Sequence, residues 1–201
     1  MRIVAGRFRR RKLDVNPGLV TRPITDRVKE MLFAHLESEI SGRRIADIFA
    51  GTGTIGLEAL SRGAGGVVFF ENNRRAFNLL KQNIDRLGVD EETLCWRVDV
   101  RRTSFRPKGV PHLLPFDVVF FDPPYRMVEE LRPGLPLFKS LLRLGQSAVT
   151  STDALLVLRT PRDARFELPP CWIPDRVLKP STMEIHLIRK QKMDEQKEDG
   201  I

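Results

Sequence analysis

The spacing of hydrophobic positions changes near residue 42, and that change divides the chain. Before it, Val28, Met31, Leu32, Leu36 and Ile40 recur at helical intervals, which predicts a helix within 21–40 capped by Thr25 or Asp26. Ahead of that helix "RIVA" and "RKLDV" alternate around Gly6, as the arms of a small hairpin would. Beyond Gly42 short apolar runs alternate with amphipathic segments. "RIADIFA" is a strand, "TIGLEALSRGA" a helix with a glycine stop, "GVVFFE" a strand, "NRRAFNLLKQNIDRLG" a helix and "TLCWRVDV" a strand. A polar loop then leads to the strand "DVVFF", to one or two helical segments over about 128–144 and to the strand "ALLVLRT". "RVLK" and "MEIHLIRK" form a closing antiparallel pair, and "QKMDEQKEDGI" has no apolar pattern and reads as a frayed tail.

Strands that are apolar throughout and separated by helices belong in a parallel sheet covered on both faces. Such sheets bind ligands at the carboxyl ends of their strands. Four successive strands place an acid there: Asp47 ahead of "IFAG", then Glu71, Asp99 and Asp122.

Composition narrows the partners. With 41% apolar and 30% charged residues in 201, the chain reads as one globular domain with room for a small appendage, and no apolar run is long enough to span a membrane. The N-terminus has charge without a following apolar segment, so it is not a secretory signal, and Cys95 and Cys171 have neither metal nor redox spacing. A cytoplasmic protein with no metal is expected. The net charge of +8 is concentrated: Arg2, Arg7, Arg9, Arg10, Arg11 and Lys12 precede the first acid, with Arg22, Arg27 and Lys29 soon after. A solvated basic run is the plain alternative, but Phe8 within it and the overall charge favour a nucleic-acid partner.

"DIFAGTGTIG" sets Gly51, Gly53 and Gly56 in G-x-G-x-x-G spacing between a strand and a helix, and Glu71 follows at the distance suited to a ribose. An adenosine-containing cofactor fits. Acid beside the turn disfavours a pyrophosphate, whereas S-adenosylmethionine brings an ammonium and a sulfonium that an acid can hold, and Asp99 can accept from the adenine amine. In "FDVVFFDPPYR" the strand ends in a polar cluster. Asp122 can accept one N–H of an exocyclic base amine and the Pro123 carbonyl the other. Pro123 and Pro124 fix the backbone without competing N–H groups, and Tyr125 offers a face to a flipped base.

These segments, with the arm "MRIVAGRFRRRKL" and "TRPITDRVKEMLF", resemble the bacterial 16S rRNA guanine-N2 methyltransferases, over residues 1 to about 158. The resemblance implies a Rossmann-like class I methyltransferase: a mostly parallel seven-stranded sheet with a reversed last strand and a small N-terminal hairpin and helix. It implies a basic RNA-binding segment at 1–41, an S-adenosylmethionine-dependent domain at 42–190 and a tail at 191–201. Asp47, Gly51 and Gly53 would then meet the methionine end of the cofactor, Glu71 the ribose and Asp99 the adenine, and Phe49 would also contact it. Asp122, Pro123, Pro124 and Tyr125 would hold the amine. Arg7, Arg9, Arg10, Arg11, Lys12 and Arg22 would bind RNA. The implied substrate is a guanine of 16S rRNA, naked or in a partly assembled small ribosomal subunit, and the enzyme a monomer. An adenine-N6 DNA methyltransferase or a non-catalytic RNA-binding protein of the same fold are the alternatives. Two departures stand out: Ala34 replaces the family's common asparagine, and "LKPSTMEIHLIRK" replaces an R-Y-G-like run.

Overall fold

The computed structural model describes residues 1–15 and 24–191. Among the described residues the apolar runs form seven strands: β1 (Arg44–Ile48), β2 (Gly66–Glu71), β3 (Thr93–Arg97), β4 (Phe116–Phe121), β5 (Thr150–Pro161), β6 (Trp172–Leu178) and β7 (Met183–Lys190). They make one sheet in the order β3-β2-β1-β4-β5-β7-β6. The first five are mutually parallel, and β7 runs antiparallel to both β5 and β6. The strand order reverses between β1 and β4, where an open parallel sheet leaves a crevice at its carboxyl edge.

Because β1, β2 and β4 are covered on both faces, successive residues feed two separate cores. Ile45, Val67, Val118 and Phe120 pack beneath the helices α1 (Asp26–His35), α3 (Thr54–Ser61) and α4 (Arg74–Leu87). Ala46, Val68, Val119 and Phe121 pack beneath α5 (Pro136–Leu144) and the loop residues Phe105 and Leu113. The expected first helix is broken: α1 begins after the cap Thr25, whose hydroxyl accepts from Val28 N, and a short α2 (Glu37–Ile40) follows Leu36. The helical region expected over 128–144 is likewise two pieces, a 3₁₀ turn at Tyr125–Glu130 and α5, separated by Pro133 and Gly134.

The basic arm is not a regular hairpin. Its ladder is one bridge, Arg2 with Lys12, closed by Ile3 N to Arg11 O at 3.0 Å and Leu13 N to Met1 O at 3.0 Å. Ile3 and Leu13 point inward into the core shared with α1 and α3, while Arg9, Arg10, Arg11 and Lys12 face solvent. Helix α3 holds the arm. Glu58 accepts from Val4 N at 2.8 Å and Ala5 N at 3.1 Å, and the Ser61 hydroxyl accepts from Phe8 N at 3.0 Å. The two backbones come so close that a Cβ on Gly6, which sits at φ +80°, would lie 1.7 Å from the Ser61 carbonyl oxygen. Only glycine satisfies both demands.

Candidate active site

At the carboxyl ends of β1 to β5 lies a cavity of about 680 Å³, within the usual range for small-molecule sites. Phe49, Gly51, Glu71, Asp99, Asp122 and Pro124 line it, so six of the ten residues expected at the cofactor and amine sites share one wall. Phe49 takes φ +62°, a left-handed conformation costing a bulky residue about 1–3 kcal/mol, and its ring meets Phe121 edge-on at 5.5 Å.

The glycine turn is held by carboxylates rather than left open for an anion. Glu71 Oε2 accepts from Gly51 N at 2.7 Å, and its Oε1 accepts from Asn73 N at 2.6 Å. Asp47, only 2% exposed, accepts from Gly56 N at 2.9 Å in the first turn of α3. A pyrophosphate would require those amide protons and would meet two carboxylates, so the turn does not fit a dinucleotide. It does fit a cationic adenosine derivative. A Cβ on Gly51 would meet nothing within 4 Å, so the turn keeps open space beside its backbone. The wall carries the acids Glu71, Asp99, Asp122 and Glu130.

Four expected contacts do not line this cavity. Asp47 is turned beneath the glycine loop, where it serves Gly56. Gly53 is packed away from the cavity against α4: a Cβ there would meet Leu80 Cδ1 at 2.5 Å. Pro123 is buried, yet among the described residues no hydrogen bond ends on its carbonyl. Tyr125 is half-buried, and its hydroxyl is buried without a hydrogen-bond partner among the described residues. In the arm, Arg7, Arg9, Arg10, Arg11 and Lys12 are all exposed, and Arg7 also pairs with Glu92 and lies over the Phe8 ring; Arg22 lies outside the described residues.

Asp99 is also engaged. Its Oδ1 accepts from the backbone and Nε of Arg101 at 3.0 and 3.1 Å and its Oδ2 from Arg101 Nη2 at 2.9 Å, which holds its carboxyl below the usual range. Arg143 of α5 fixes this loop by donating to the carbonyls of Thr103, Val100 and Arg101. Sequence reasoning did not single out Glu130 or Arg159. Glu130 brings to the cavity wall a carboxylate oxygen that is buried and has no hydrogen-bond partner among the described residues. Arg159 donates to both oxygens of Asp122. Glu130 ends a turn with no motif, and Arg159 reads as the polar end of an apolar strand.

Burial pushes the Asp47 carboxyl up to about 7, with the nearby charges of Asp122 and Glu71 adding to the effect and the Gly56 N–H opposing it. The folded state therefore holds this proton more tightly than the unfolded chain, so the residue costs stability as pH rises from its ordinary value through about 7. Asp47→Asn keeps an acceptor for Gly56 and removes the charge. Thermal unfolding should show the variant more stable than the parent at alkaline pH, with the advantage shrinking as the solution is acidified. A constant difference across that range would mean Asp47 is ionised throughout.

A protein-family model described as conserved hypothetical protein 95 matches residues 1–176. Ribosomal RNA small subunit methyltransferase D of Haemophilus influenzae is 35% identical over 176 residues, which are 86% of this chain and 84% of that protein. The protein of the same name from Escherichia coli is 42% identical over 129 residues, 63% of this chain and 61% of that relative. Among solved structures, the Escherichia coli protein yhhF, provisionally assigned as a methyltransferase, superposes with a TM-score of 0.78 at 29% identity and covers 96% of this chain and 99% of its own.

Proposed function

The chain belongs to this rRNA methyltransferase family, and from that premise we propose that it transfers a methyl group from S-adenosylmethionine to the exocyclic N2 of a guanine in small-subunit rRNA. The observation that carries the reading is the glycine turn whose amides are held by Glu71 and Asp47, with Asp122 on the same cavity wall. The cofactor would lie along Phe49, Gly51, Glu71 and Asp99. When bound it supplies an electrophilic methyl on a sulfonium sulfur.

The protein's work is then to hold, orient and desolvate the amine. Asp122 accepts one N–H and the Pro123 carbonyl the other, which aims the nitrogen lone pair at the methyl carbon and favours its tetrahedral form. Losing that methyl would leave a neutral thioether, so the chain need supply no acid to the leaving group. The nitrogen would shed one proton, which the Asp122 carboxylate, already accepting from its N–H, is placed to take. Guanine suits an acidic clamp because its N1–H and N2–H donors lie side by side. The exposed Arg9, Arg10, Arg11 and Lys12 would grip RNA phosphates while their backbone stays fixed to α3.

Calorimetry tests the cofactor assignment. S-adenosylmethionine or its demethylated product should bind, NAD should not, and Glu71→Ala should weaken binding by about 1–3 kcal/mol, the scale of hydrogen bonds to a charged group. Equal affinity in the variant would remove Glu71 from the site. Labelled methyl should appear on small-subunit rRNA rather than duplex DNA; label on DNA would favour the adenine-methylating alternative.

A further inference from the structure

The carboxylate at the centre of the site is not alone. β4 and β5 pair Phe121 with Leu158, so the next residues, Asp122 and Arg159, emerge side by side at the carboxyl edge. Arg159 is 8% exposed, and it meets the carboxylate in a fork: Nε to Oδ1 and Nη2 to Oδ2, both 2.6 Å. The plane of the guanidinium therefore fixes the plane of the carboxylate. A carboxylate has about four lone-pair directions, and the fork uses two of them.

We infer, resting on the amine-methylating reading above, that Arg159 is a positioning residue that keeps Asp122 ionised and aimed at the target amine. The surroundings of Asp122 explain the need. Glu71 after β2, Asp99 after β3 and Glu130 from the turn after β4 line the same cavity, opposed by Arg126 and Arg101, and buried Asp47 lies close enough for the Asp122 charge to raise its carboxyl. Burial holds the Asp122 carboxyl above its ordinary range, and the charge and hydrogen bonds of Arg159 limit the rise. A protonated Asp122 would present an O–H donor to an amine that needs an acceptor. The guanidinium also withdraws some charge from the carboxylate, but a weakened acceptor still accepts, whereas a neutral acid does so poorly. Arginine suits the task because its fork holds both oxygens, which the single point charge of a lysine cannot do.

Single-turnover methylation of small-subunit rRNA at saturating cofactor, followed from about pH 5.5 to 9, tests this. Arg159→Met should be about tenfold or more slower at neutral pH, with the acid limb of its profile moved up by about one unit or more, and should stay below the parent even at the alkaline end because the fork is lost as well as the charge. Cofactor affinity by calorimetry should stay within about twofold. Arg159→Lys should restore the position of the acid limb but remain slower throughout, because charge returns without the fork. Should the methionine variant fail to fold, the lysine variant carries the test alone: an acid limb where the parent has it with a uniformly lower rate supports the assignment, and an unchanged rate overturns it. An unmoved limb in Arg159→Met, or a faster rate, shows a structural strut or an inhibitory latch and likewise overturns it. The two readings fail separately. Wild-type turnover by Asp122→Ala would sink the amine clamp itself, whereas an inactive Asp122→Ala beside an unaffected Arg159→Met would remove only the role of Arg159.

Discussion

Glu58→Ala should lower the free energy of unfolding by about 3–5 kcal/mol, the scale for stranding one member of a buried ion pair. Glu58 and Lys29 are both fully buried, with Lys29 Nζ 3.5 Å from Glu58 Oε2. Lys29 also donates to the Arg2 carbonyl at 2.5 Å, and Arg62 Nε donates to Glu58 Oε1 at 2.9 Å. One carboxylate thus ties α1, α3 and the basic arm together. Its removal leaves two arm amides without acceptors and a lysine with its nearest counter-charge gone. Burial already draws the Lys29 ammonium below its ordinary range, and Glu58 is the largest influence restoring it. In the variant the folded state would bind the lysine proton less readily than the unfolded chain, so the deficit should shrink as pH rises toward the ordinary lysine range. Urea unfolding at two pH values measures both effects. A loss below about 1 kcal/mol, independent of pH, would place this pair among weak surface contacts.

Asp122→Ala should reduce single-turnover methyl transfer about 10²-fold or more, the range for deleting one preorganised electrostatic group. The substitution also leaves the buried Arg159 guanidinium without the carboxylate it holds in the fork. Cofactor affinity and melting temperature must therefore be followed alongside the rate. Asp122→Asn separates the effects: it keeps the shape, offers one acceptor and one donor, and should retain more activity than alanine. A full rate in both variants, with cofactor saturating, would reduce "DPPY" to a strand terminator.

Much of this architecture is legible locally because parallel strands buried on both faces write themselves as unbroken apolar runs, as in "GVVFF" and "DVVFF". The glycine turn is legible for a similar reason: its demands fall on adjacent residues, with Gly56 lying so close to β2 that a Cβ would meet the Phe69 ring at 2.3 Å. What escaped depends on distant neighbours. Lys29 looks like the polar face of α1 until Glu58, 29 positions on, is packed against it. Arg159 meets Asp122 across 37 positions through strand pairing alone. Asn83 of α4 joins the arm to the glycine turn by donating to the carbonyls of Asp14 and Thr52, which no periodicity in α4 discloses. The alternation around Gly6 predicted more ladder than exists, because side-chain acceptors on α3 satisfy arm amides that a hairpin would have paired. Asp47 was read by its place at a strand end, but its burial decides which way it faces.

Methylation of a guanine N2 in small-subunit rRNA can be read out by incubating the protein with S-adenosylmethionine and small-subunit rRNA, naked and in assembled subunits, and digesting the RNA for nucleoside mass spectrometry. One new N2-methylguanosine per rRNA, absent with Asp122→Ala, is the expected result. Methyl on adenine N6 or on a ring carbon, or no transfer to either form of the RNA by protein that binds the cofactor, would contradict it.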